Sequence, residues 1–172
     1  GMDLGPFRPD TGTLWDRCPH DVALCLDLLG RTEAESGVEV TATGAFPDAE
    51  GRPEMVTLRL RWKGGVTAWI HSGRLIPQKR RTLSVITDTE LFHFDDQAPA
   101  KCRRIPFDYA GRARLGSSPL PKEGKPLHEV PSKPTPMEMM LGAFALQVER
   151  KAPPAGLGLT VELTRILEQC QT

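Results

Sequence analysis

Asp16-Arg17-Cys18-Pro19-His20-Asp21 places a carboxylate four residues before an imidazole. The apolar run Val22 to Leu29 follows, and Gly30 ends it. A proline suits the first turn of a helix, where its missing N–H costs nothing. A glycine is the common residue just past a helix end. The spacing therefore predicts a helix over about 19–29, with His20 and Asp21 in its first turn and Asp16 just outside it. An imidazole held there can accept a proton from a small polar substrate, and a neighbouring carboxylate can fix its tautomer. A second reading stays open: Asp16 or Asp21 complements the helix end, and His20 is a satisfied structural side chain.

Those residues need elements to hold them. Val22, Cys25, Leu26 and Leu29 share one helix face, and Ala23, Leu24 and Leu28 extend the apolar surface nearly all round, which predicts burial on most sides. Strict alternation follows in the next segments. Val38, Val40 and Ala42 alternate with polar neighbours, and so do Val56, Leu58, Leu60 and Trp62. Lys63-Gly64-Gly65 predicts a turn into Val66, Ala68 and Ile70. Shorter strands are expected at 83–87, at 91–94 and over 101–105. Such a clean period of two implies an antiparallel sheet with one apolar face. The other face carries Arg59, Arg61, Trp69 and His71, a mixture of residue types enriched at interfaces. Homodimerisation through that open face is the expected assembly. Residues 2–11 read as an irregular lead-in. Residues 106–136 hold seven prolines and read as a long loop. Met137, Met140, Leu141, Phe144 and Val148 then predict a helix stopped at Pro153-Pro154, and Leu159, Leu163, Ile166, Leu167 and Cys170 predict a last one.

Gly12-Thr-Leu-Trp-Asp16-Arg-Cys-Pro-His20-Asp21 with Gly30 resembles the start of the C-terminal domain of the glucose–fructose oxidoreductase / inositol dehydrogenase / MocA family. The alternating strands, the Gly64-Gly65 turn, the strand ending in Ser72, the hairpin closing on Asp95-Asp96 and the two closing helices extend the likeness over nearly the whole chain. The family's glycine cluster is reduced here to Gly12, and Cys18-Pro19 stands where glycine is frequent. The resemblance implies an α+β fold: an open, mainly antiparallel sheet with helices packed on one face. It implies a single domain over 2–172 that binds substrate and mediates oligomerisation. The parent would be an NAD(P)-dependent dehydrogenase of a sugar, cyclitol or related polyol. In it, Asp16 and His20 would be catalytic, beside a lysine from a nucleotide-binding half.

That nucleotide-binding half is not legible here. Gly156-Leu-Gly158 lacks the third glycine and follows prolines rather than a strand, so it reads as a helix start. Glu123-Gly124-Lys125-Pro126 imitates a catalytic Glu-Lys-Pro triplet with an inserted glycine and reads as a solvated turn. No cofactor is expected on this chain. NAD or NADP is implied for the parent, and inactivity for the chain alone. The alternative is a non-enzymatic module that dimerises or pairs with a separate nucleotide-binding subunit. A third reading is an unrelated ligand-binding domain.

Composition narrows the remaining classes. Lysine plus arginine equals aspartate plus glutamate at 22 each, so no basic excess invites nucleic acid. No apolar run approaches membrane-spanning length. The four cysteines contain no CxxC pair, and no metal is expected. Cys25 and Cys170 read as core residues. A cytoplasmic protein fits. Gly1 before Met2 reads as a cleavage scar. Serines 72, 84, 117 and 118 lack a nucleophile context. His71 and His93 read as sheet side chains, His128 as a loop residue, and Trp15 as either a pocket wall or core.

Overall fold

The computed structural model describes residues 2–4, 8–30, 37–106, 125–126, 136–150 and 156–171. They form two compact units, one of residues 1–79 with 149–172, the other of residues 80–148.

The first unit holds a five-stranded sheet in the order β2-β3-β4-β1-β5. Its strands are β1 (Met2–Leu4), β2 (Val38–Pro47), β3 (Pro53–Trp62), β4 (Thr67–Gly73) and β5 (Leu75–Arg80). Strands β2, β3 and β4 are antiparallel, with Leu58 paired to Ala42 on one side and to Ile70 on the other. The alternation in β3 does what it predicts: Val56, Leu58, Leu60 and Trp62 are buried on one face. That face is covered by α1 (Thr13–Asp16), α2 (Cys18–Leu28) and a late helix over Leu157–Gln169. Val22 and Leu26 of α2 meet Ile166 and Leu167 of the late helix in one core. Antiparallel sheet with helices on one face is the α+β architecture that the sequence implies.

Two expectations need correction, and one strand was not foreseen. Met2–Leu4 is a strand, paired in parallel with β4 through Met2 and Gly73, rather than an irregular lead-in. β5 was hidden by Pro77, which cannot donate to a ladder. The strand lies at the sheet's edge, where a proline is tolerated. α2 is not buried on most sides, because Leu24 and Leu28 are exposed.

The second unit contains β6 (Thr82–Ile86), β7 (Glu90–Asp95), β8 (Cys102–Pro106) and β9 (Lys125–Pro126), an antiparallel sheet in that order. Lys125-Pro126 is thus not a free turn, since it pairs with Arg103 and Arg104 of β8. α3 (Pro136–Arg150) follows, and the late helix of the first unit is α4 (Leu157–Gln169). Glu123, His128, Ser117, Ser118 and Pro153-Pro154 lie outside the described residues.

Candidate active site

The inward-facing rows of β3 and β4 change character at one end. Along β3 the buried row runs Trp62, Leu60, Leu58, Val56 and then Glu54. Along β4 it runs Ala68, Ile70 and Ser72, and Arg74 follows just past the strand. Glu54 and Arg74 stand opposite one another, the Arg74 N–H donating to the Glu54 carbonyl at 3.1 Å. The polar end of both rows lies under α1 and the start of α2.

α1 opens at Gly12. A Cβ there would sit 3.0 Å from Cβ of Arg52, a residue of the β2–β3 hairpin turn. Glycine lets that turn close on the helix start. Arg52 itself is held by Asp48 at 2.8 Å, by Glu50 at 2.7 Å and by the Pro9 carbonyl at 3.0 Å. Thr13 is fully buried and donates its hydroxyl to the Glu54 carbonyl at 3.1 Å. α1 is therefore tied to the edge of the core before Asp16 is reached. Arg17 joins α1 to α2 without a side-chain cap, and the helix begins one residue before Pro19, at Cys18.

Asp16 is mostly covered and surrounded by guanidinium groups. Arg74, which is 0% exposed, donates from Nη2 to Asp16 Oδ2 at 3.1 Å and to the Thr11 carbonyl at 3.0 Å. Arg8 donates to Asp16 Oδ1 at 3.3 Å. Arg17 Nε lies 3.7 Å from Oδ2. Arg74 Nη1 is also 3.6 Å from Glu54 Oε2. His20 stands exposed in the first turn of α2. Among the described residues no direct hydrogen bond or ion pair joins Asp16 to His20, and the Asp16 carboxylate is taken up by guanidinium groups. A guanidinium out of water demands a counter-charge, and Asp16 and Glu54 supply it.

Asp21 is anchored too. Ser72 Oγ donates to Asp21 Oδ2 at 2.7 Å. Burial pushes the Cys18 thiol up to about 12, with the hydrogen bond to Ser72 acting the other way and the charge of Asp21 adding to the rise. Burial likewise pushes Cys25 and Cys170 up to about 11. These thiols stay protonated at neutral pH and offer no nucleophile. Among the described residues no group of three or more metal-binding side chains occurs. No described helix is long and apolar enough to cross a membrane.

The other candidates fall elsewhere. Trp15 is partly exposed beside the site, at 37%. His71 meets Thr57 across the open face of the first sheet at 3.1 Å. His93 meets Ser84 at 2.9 Å on the second sheet, an ordinary cross-strand pair. Arg59 lies over the exposed Trp69 ring, 6.0 Å from its centroid, and is held by Glu39 and Thr41. Sequence reasoning missed Thr13, Glu54 and Arg74. Their signal was available in part, because Glu54 and Arg74 continue the inward parity of two apolar rows.

A presumed oxidoreductase from Magnetospirillum magnetotacticum superposes with a TM-score of 0.73 at 28% identity, over 98% of this chain and 52% of its own. The likeness is to the C-terminal half of members of the glucose–fructose oxidoreductase / inositol dehydrogenase / MocA family. Other members share the fold. UDP-N-acetylglucosamine 3-dehydrogenase from Acidithiobacillus ferrooxidans matches at 19% identity and a TM-score of 0.63, over 99% of this chain and 50% of its own. A variant of the 3-ketoreductase KijD10 from Actinomadura kijaniata, in complex with TDP-benzene and NADP, matches at 13% identity and a TM-score of 0.64, over 98% and 49%. The chain thus spans about half the length of these family members and has the fold of the family's C-terminal domain. No family model and no curated protein matches it by sequence.

Proposed function

We propose that this chain is the substrate-facing half of a cytoplasmic NAD(P)-dependent oxidoreductase acting on a sugar, cyclitol or related polyol, and that it is inactive alone. The observation that carries the reading is His20. It is an exposed imidazole at the start of a helix whose both flanks, Asp16 and Asp21, are fastened to the sheet. It does so within the fold of half an oxidoreductase.

In this reading His20 takes the proton of the substrate hydroxyl as the carbon beneath it is oxidised. Asp16, committed to Arg74 and Arg8, anchors the segment that leads into His20. Nothing among the described residues fits a dinucleotide. Gly156 caps α4 in a left-handed conformation, φ +83°, but no described strand leads into it, and Gly12, which caps the short α1, is a single glycine outside any Gly-x-Gly-x-x-Gly run. In this reading the cofactor belongs to the other half of the family's length, where a nicotinamide would supply the hydride acceptor. Unpaired cysteines, with Cys18 fully buried, support a reducing compartment. The open face with Arg59, Arg61, Trp69 and His71 supports a homodimer built face to face.

Nuclear magnetic resonance of the isotopically labelled chain tests this. Sugars, cyclitols and polyols are titrated in turn, then NADH and NADPH. The expected result is amide shifts gathered at residues 12–21 for at least one hydroxylated ligand, and none for either nucleotide at micromolar concentration. Shifts from hydroxylated ligands gathered elsewhere, or micromolar nucleotide binding, would overturn the reading.

A further inference from the structure

His20 makes no hydrogen bond to Asp16, so something else must fix where its imidazole points. Two buried side chains at the end of β4 are placed to do so. Ser72, 1% exposed, donates to Asp21 at 2.7 Å. Arg74, 0% exposed, donates to Asp16 at 3.1 Å. The two donors are separated by one residue of strand, and their acceptors bracket Arg17, Cys18, Pro19 and His20. We propose that Ser72 and Arg74 are positioning residues: a two-point clamp that fixes the backbone from which His20 presents its ring to substrate. The proposal rests on the reading of His20 as proton acceptor.

The clamp sits on a part of the sheet with little freedom. Gly73 lies between the two donors. A Cβ there would approach Met55 Cγ at 3.0 Å and the Glu54 carbonyl at 3.3 Å, so β4 is pressed against β3 at this point. Arg74 is further fixed by its own backbone bond to Glu54 and by the Thr11 carbonyl. Catalytic groups tolerate little displacement, and an error of about 1 Å can cost about a hundredfold in rate. Supporting side chains on a rigid strand are what such tolerance requires. Apolar packing alone leaves more freedom, because Cys18, Val22 and Leu26 would tolerate a small slide of α2 over the sheet. The directional bonds to Asp16 and Asp21 would not.

The test uses the isotopically labelled chain and two variants, Ser72→Ala and Arg74→Lys. The first removes one donor with little change of volume. The second keeps the charge beside Asp16 and Glu54 but loses the planar fork. Three readouts are taken: the His20 ring signal, assigned by its loss in His20→Gln; backbone order parameters at residues 18, 20 and 21; and the Trp62 indole signal as a control for the core. The clamp predicts that in both variants the His20 signal moves and the order parameters fall from about 0.85 toward 0.6, while the Trp62 signal stays in place. Should Arg74→Lys fail to fold, Ser72→Ala and its counterpart Asp21→Ala carry the same expectation for residues 20 and 21. Unchanged order parameters and an unmoved His20 signal in the folded variants would overturn the clamp, even with a lowered melting temperature, since the two residues would then serve the fold alone. None of these readouts needs turnover. A silent clamp with a catalytically essential His20 defeats only this proposal, whereas a dispensable His20 defeats the reading beneath it.

Discussion

Arg74→Met tests the charge cluster under the candidate site. In the native fold Arg74 is fully buried against Glu54, which is 5% exposed, and against the better solvated Asp16. Methionine keeps much of the side-chain volume and removes the charge. Breaking a buried ion pair by deleting one partner typically costs about 3–5 kcal/mol, because the other charge stays buried and uncompensated. Asp16 keeps Arg8 and some water, so most of the loss falls on Glu54 and the lower end, about 3 kcal/mol, is expected. With a urea slope of about 1–3 kcal/mol/M this moves the midpoint down by about 1–3 M. Tryptophans 15, 62 and 69 are the chain's three, and all lie in the first unit. Urea unfolding followed by tryptophan fluorescence therefore reads that unit. Adding Glu54→Gln to Arg74→Met should recover at least about 1 kcal/mol, the coupling expected of charges in contact. A single variant costing under about 1 kcal/mol, or a double variant costing the sum of its parts, would refute the account of this cluster.

Other outcomes follow from single features. The buried Cys18 thiol, held up to about 12 against an ordinary 9.0, binds its proton more tightly folded than unfolded. Its stabilisation is therefore complete below pH 9.0 and is lost as pH rises toward 12. Urea midpoints should fall between about pH 8 and about pH 10, and fall less in Cys18→Ala, with a limit of about 1.4 kcal/mol per pH unit for each thiol. Equal declines would contradict this. Gly44→Ala places a Cβ 2.6 Å from Pro53 Cβ and 2.8 Å from its Cγ, so the β2–β3 hairpin must shift. A loss of about 1–3 kcal/mol is expected, and a variant as stable as the parent would rule out that close packing. If the open sheet face joins two copies, light scattering gives a dimer mass at micromolar concentration and Trp69→Glu gives a monomer. A dimer that survives the substitution removes Trp69 from the interface.

Much of the fold was written in periodicity. The alternation at 56–62 marked the buried row, and the helical spacing at 159–170 marked the helix that covers it. Both signals arise because one face of each element meets a common core. The elements that sequence reasoning missed are those without such a face, or with a breaker in them. β1 has three residues, β5 contains Pro77, and β9 is two residues in a proline-rich stretch. At the site, the Asp-x-x-x-His spacing drew attention to Asp16 and His20, but local spacing says nothing about partners 51 to 58 positions away. Arg74 was hidden for a further reason. Arginine is rarely fully buried, so a lone arginine after a strand is read as surface unless its counter-charges are already known. The ion pair of Arg74 with Asp16 could not be read from the Asp-x-x-x-His spacing.

The central claim is that His20 accepts the substrate proton in an oxidoreductase whose cofactor is held by another part of the molecule. The most direct measurement is turnover with NAD and with NADP, on sugars and polyols, by the oxidoreductase in which residues 1–172 supply the substrate half, compared between the parent and His20→Ala. Loss of a positioned general base should lower kcat by about 10²–10⁴-fold with the cofactor still bound. Turnover unchanged by His20→Ala would contradict the claim and leave Asp16, His20 and their clamp as parts of the fold.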